Sequence, residues 1–172
     1  AEWHRALAAA CAAAGLGLIW SLSYELFDAY CWNDWKQRGA DGAPALTGWV
    51  PPSTLLSPAN AAAMGYLQLV ARAFVAIGRD AGLAPKFQVG EPWWWVNPGG
   101  KLCAYDAATG AALGGASVAI ADVRGALDAS QRAMLDALGA LLATSTAALV
   151  AAARHEAGAA GLESLLLVFL PT

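Results

Sequence analysis

Helical periodicity and short apolar runs take turns along this chain. Trp3, Leu7, Cys11 and Ala14 recur at helical spacing, and Gly15 stands where a left-handed cap would close the helix. Residues 16–22 (LGLIWSL) form an apolar run without polar alternation, as expected of a strand covered on both faces. Ser57 as N-cap and Pro58 in the first turn predict a second helix; Met64, Leu67, Val70, Ala71, Phe74 and Ile77 form its apolar stripe, and it ends before Gly82. A second strand follows at residues 86–91 (KFQVGE). Asp128 and Gln131 have the spacing of a capping box and open a third helix that carries Met134, Leu138, Leu141, Leu142 and Leu149 to Gly158. Residues 165–170 (LLLVFL) predict a third strand. Strands separated by helices are joined as right-handed parallel crossovers. The predicted fold class is therefore α/β, with parallel strands alternating with helices.

The connections are unequal. Those from helix to strand are short, whereas those from strand to helix run over residues 23–56 and 92–127. In parallel α/β folds the strand-to-helix loops leave the carboxyl ends of the strands, where ligands bind. These two loops are the predicted functional face, and loops of this length are functional or disordered when they lack structure. Their tryptophans argue against disorder. Charged residues make up only 13% of the chain, against about 25% in ordinary proteins, and the net charge is -3. No nucleic-acid partner is expected, and no field that would draw the chain to an anionic surface. Residues 137–153 carry no formal charge, but Thr144, Ser145 and Thr146 interrupt them, so they read as a buried helix and no membrane span is expected.

The three cysteines, Cys11, Cys31 and Cys103, show no paired spacing and read as small hydrophobes. His4 and His155 lie far apart in sequence and read as structural. Neither a metal nor a cofactor is expected, and P-loop, GxGxxG, HExxH and GxSxG motifs are absent. The amino-terminal residues begin without Met or a charged leader, and the carboxy-terminal residues stop in an apolar run. Residues 1–172 thus read as a single segment excised from a larger chain.

Of eight tryptophans, Trp32, Trp35, Trp49, Trp93, Trp94 and Trp95 fall in the two long loops. Indole faces stack on the C–H faces of sugar rings and indole N–H groups donate to hydroxyls, so these residues are candidate sugar contacts. In FQVGEPWWWV (87–96), Glu91 sits at the end of a buried strand, beside a proline and three indoles. An apolar aromatic setting raises a carboxyl pKa and suits a general acid. Pairing with Arg124 or Lys101 is the structural alternative for Glu91. The first loop opens with SLSYELFDAYCWNDWKQRG (21–39), where Tyr24 and Asn33 are candidate ligand contacts and Glu25 a candidate second carboxylate. Asp28, Asp34 and Lys36 read as solvated charges, and Asp106 as a turn or cap residue. Carboxyl groups about 5 to 5.5 Å apart would suit a retaining glycosidase, and about 6.5 to 9.5 Å an inverting one.

SLSYELFDAYCWNDW, GWVPPSTLLSP and FQVGEPWWWV together resemble a glycoside-hydrolase-type (β/α)8 barrel, and more narrowly the barrel proteins of phage and prophage tail modules. The resemblance implies a partial TIM-barrel segment of about three strand–helix units, a carbohydrate partner, and a place on a phage particle or cell surface. It implies that Glu91 is the acid/base ending the fourth strand, with the nucleophile beyond Thr172 and the segment inactive alone. Gly90 stands where many such hydrolases carry Asn. The alternative is a non-catalytic glycan-binding or structural barrel of a tail-associated protein. Three parallel strands cannot close a barrel, so the segment is also expected to associate with itself.

Overall fold

The structure is a computed structural model, and it describes Glu2 to Leu167. In chain order its elements are α1 (Glu2–Ala13), β1 (Trp20–Ser23), β2 (Glu25–Phe27), β3 (Ser53–Leu55), α2 (Ala61–Asp80), β4 (Lys86–Gly90), β5 (Val96–Asn97), β6 (Lys101–Leu102), α3 (Ala107–Ala112), α4 (Ala129–Ala157) and β7 (Glu163–Leu167). Short 3-10 turns lie at Asp28–Tyr30, Asn33–Trp35 and Gly158–Ala160. The chain divides into two compact units: Ala1–Ser23, Gly65–Pro92 and Thr146–Thr172 make the first, and Tyr24–Met64 with Trp93–Ser145 the second.

The first unit carries the predicted parallel sheet, in the order β1-β4-β7. Trp20 to Ser23 pair with Phe87 to Gly90, and Lys86 to Gly90 pair with Glu163 to Leu167. Helix α1 ends as its sequence predicts: Gly15 takes φ +66°, and the N–H groups of Gly15 and Leu16 close onto Ala12 and Cys11. That closure corrects the first predicted strand. Leu16 is committed to the helix cap, and Leu16 and Ile19 are exposed, so pairing starts only at Trp20, where Phe87 is its partner. Inside this unit Leu67, Ala71, Val75, Phe87, Val89 and Ala153 are all but fully buried. Trp20 stacks on Phe74 with ring centroids 4.9 Å apart, and His4 lies 5.1 Å from Phe74. Gly78 is what admits the Trp20 ring, because a Cβ there would lie 2.9 Å from its Nε1. β7 begins at Glu163, whose carboxylate pairs with Lys86 at 2.8 Å. Of the predicted third strand, residues 168–170 lie outside the described residues. By length and composition α2 and α4 could each cross a membrane; here they are the crossovers between β1 and β4 and between β4 and β7.

The second unit is built from the two long loops, and they are not irregular. β2 and β3 form an antiparallel hairpin, with Glu25 opposite Leu55 and Phe27 opposite Ser53. β5 and β6 form a smaller one, turned by Gly99 and Gly100 at φ +84° and +77°. One cluster buries Leu102, Ala104, Ile120, Met134 and Leu138, and another buries Ala45, Leu55 and Cys103. The Tyr105 hydroxyl pins the segment before α4: it donates to Val118 O at 3.1 Å and accepts from Ile120 N at 2.9 Å. Helix α4 opens with the predicted capping box, Gln131 N on Asp128 Oδ1 at 2.8 Å and Asp128 N on Gln131 Oε1 at 3.0 Å. Helix α2 starts later than predicted. Ser57 closes a turn by accepting from Asn60 N, and Asn60 is the cap, its Oδ1 accepting from Ala63 N at 2.9 Å. The Ser57 hydroxyl instead meets Thr109 Oγ1 at 3.1 Å, and Thr109 is held by Asp106, the N-cap of α3.

Candidate functional site

Proline and three consecutive indoles follow the tip of β4, and the structure puts the indoles to work inside the second unit. Trp94 packs on the Leu102–Leu138 cluster and its Nε1 donates to Leu138 O at 3.0 Å. Trp93 and Trp95 pack against Ala45, Leu55 and Cys103, their ring centroids 6.2 Å apart. All three are half-buried. Trp95 Nε1 is buried without an acceptor among the described residues.

Gln37 anchors this run. It is fully buried; its Nε2 donates to Leu56 O at 3.0 Å and Trp93 O at 2.9 Å, while its Oε1 accepts from Trp95 N at 2.8 Å. Its own backbone links Leu55 O and Ala45 N. The Gln37 side chain therefore gives these three hydrogen bonds to backbone groups.

The other sequence candidates are dispersed. Tyr24 is fully buried and shares a 2.9 Å hydrogen bond with Ser145. Asn33 is exposed, and its Oδ1 accepts from Arg38 at 2.6 Å. Trp32 and Trp35 lie together with ring centroids 4.5 Å apart. Trp32 and Trp49 are exposed, whereas Trp35 is half-buried. Glu25 is half-buried on β2 in the second unit, and Glu91 belongs to the first. The structure also corrects one charge assignment. Lys36, expected in solvent, is buried and pairs with Asp28 at 2.6 Å, because the turn at Asp28–Tyr30 brings the carboxylate over its ammonium. The spacing of Asp28 and Lys36 does not signal that pair, since two 3-10 turns, at Asp28–Tyr30 and Asn33–Trp35, carry the chain between them and no single period runs through both residues.

Glu91 is half-buried and takes φ +50°, and among the described residues no other non-glycine has a positive φ. Its carboxylate makes no hydrogen bond or ion pair among the described residues. The basic groups considered for it are engaged elsewhere: Arg124 holds Asp122 through two nitrogens, and Lys101 lies 3.5 Å from Asp41. Gly90 before it admits the neighbouring strand, since a Cβ there would lie 3.1 Å from Ser21 Oγ. Left-handed backbone costs a side chain about 1–2 kcal/mol. Glu91→Gly is therefore expected to raise the unfolding free energy by about 1 kcal/mol in urea titrations. A destabilised variant would mean that the carboxylate carries contacts that outweigh its strained backbone.

The Arg124 guanidinium beside Asp122 holds that carboxyl below its ordinary range, and the Ala43 N–H does the same for Asp41. Burial pushes the thiols of Cys31 and Cys103 up to about 11, so both are protonated near neutrality and poor nucleophiles. No group of three or more metal-ligating side chains occurs among the described residues.

A hollow of about 410 Å³ opens beside the β2–β3 hairpin, lined by Phe27, Asp28, Ala29, Tyr30, Pro51 and Pro52. No candidate residue of the sequence points to it. Its proline pair lies in the GWVPPSTLLSP motif, but only the hairpin register brings that pair beside Phe27 and Asp28.

Over residues 1–172 the chain matches the family described as the non-contractile tail sheath protein TIM barrel. No curated protein and no solved structure matches it. The match agrees with the tail-barrel side of the resemblance seen in the sequence and lends nothing to its glycoside-hydrolase side.

Proposed function

We propose, from the premise that this chain belongs to the non-contractile tail sheath protein TIM-barrel family, that it is a structural barrel module of a phage tail and works without turnover. The observation that carries this reading is the fate of the Trp93–Trp95 run. Trp94 donates its indole N–H to a helix carbonyl and the two flanking rings fill a core, so these rings are used to build the second unit. They are not free as platforms for a substrate.

The sheet supports the same reading. β1 and β7 are its edges among the described residues, and Leu166 and Leu167 on β7 are exposed. Edge strands present unpaired N–H and C=O groups that invite further strands, and a TIM barrel closes with eight. A module of this kind is completed by its neighbours.

A second reading keeps Glu91 as a general acid, favoured by its positive φ and its unpaired carboxylate. One experiment separates the two. Tails carrying Glu91→Gln should assemble in wild-type numbers by electron microscopy, and neither wild-type nor variant tails should release reducing ends from host surface polysaccharide. Release by wild-type tails that Glu91→Gln abolishes would overturn the structural reading in favour of hydrolysis.

A further inference from the structure

We propose that the hollow lined by Phe27, Asp28, Ala29, Tyr30, Pro51 and Pro52 is a binding site for a neutral, hydroxyl-bearing sugar unit. This goes beyond a structural role and does not depend on it. The volume, about 410 Å³, falls within the usual range of small-ligand clefts, about 300–1,000 Å³.

Two rings stand open on its walls: Tyr30 is 79% and Phe27 54% exposed. Exposed aromatic faces beside proline rings suit the C–H face of a pyranose. The polar group is Asp28. Its Oδ1 is held at 2.6 Å by Lys36, while Oδ2 has no partner among the described residues, and the side chain remains 29% exposed. Carboxylate and ammonium together are neutral, so the site draws neither a cation nor an anion by net charge. The free carboxylate oxygen is an acceptor only and needs a donor. Sugar hydroxyls supply donors, whereas a proline-rich segment offers carbonyl acceptors and lacks N–H groups at its prolines.

The walls are held in place by backbone. Asp28 N donates to Pro52 O at 3.0 Å, and Phe27 is paired with Ser53 in the hairpin. Lys36 also donates to Asp28 O at 3.3 Å, which fixes the turn that carries Tyr30. A larger cavity of about 630 Å³ lies between α3 and the start of α4, but its lining has no ring and no ionisable group.

The test titrates the full chain with maltotriose, cellotriose, chitotriose and mannotriose, followed by saturation-transfer NMR on the sugar C–H protons. At least one trisaccharide should receive saturation, and Tyr30→Ala should weaken its binding by about tenfold, as should Phe27→Ala. Glu91→Gln should leave the binding unchanged. Tyr30 is mostly exposed, so its truncation keeps the fold, which circular dichroism checks. Absence of transfer to all four sugars, transfer indifferent to Tyr30→Ala, or displacement of the sugar by a proline-rich decapeptide would each overturn the assignment.

Discussion

Gln37→Ala is expected to lower the unfolding free energy by about 4 kcal/mol and the thermal midpoint by about 10 °C. The side chain is fully buried and serves three backbone groups, Leu56 O, Trp93 O and Trp95 N. Truncation strands all three, and an orphaned buried polar group costs about 1–3 kcal/mol. Gln37→Glu is nearly isosteric yet should not rescue the loss. It can still accept from Trp95 N, but it sets a carboxylate against the two carbonyls that the Gln37 amide now serves. Thermal and urea denaturation of both variants provide the check. A loss below about 1 kcal/mol for Gln37→Ala would mean that the network contributes little.

Gly100→Ala carries the next largest expected effect, about 3 kcal/mol of lost stability. Gly100 sits at φ +77°, and a Cβ there would overlap the Asp122 carboxylate. The backbone cannot retreat cheaply, because Val123 N donates to Gly100 O at 3.0 Å. The neighbouring Gly99 separates the two causes. It has φ +84° with open space where a Cβ would stand, so Gly99→Ala should cost only the conformational part, about 1–2 kcal/mol. Adding Asp122→Ala to Gly100→Ala should bring its cost down to the same level; a double variant no better than the single one would locate the strain elsewhere.

Long periodic features were legible in the sequence. The α2 stripe, the Asp128–Gln131 box and the run that became β4 each follow from repeated spacing or from a cap with a mechanism, and the parallel order followed from their alternation. Where two signals compete, spacing misleads. Ser57-Pro58 reads as a helix start, yet Asn60 caps α2 because the turn between them uses Ser57 O first. β2, β3, β5 and β6 are two or three residues long, too short for any period to register, and β2 finds β3 only across the length of the first loop. The site suffered most from this. Three adjacent indoles announce a large apolar surface but not which way it faces, and the answer depends on Gln37, more than fifty residues upstream of Trp93. The hollow beside Tyr30 depends likewise on the β2–β3 pairing, which no local pattern encodes.

The way the two units share the chain fixes an order of completion during synthesis. Every residue of the second has been made once Ser145 is joined, whereas the sheet of the first gains β7 only from Glu163 onward. The inserted unit can thus be whole while its host still holds β1 and β4 as a bare pair. Nascent chains arrested after Ser145 would carry finished hairpins and an unfinished sheet.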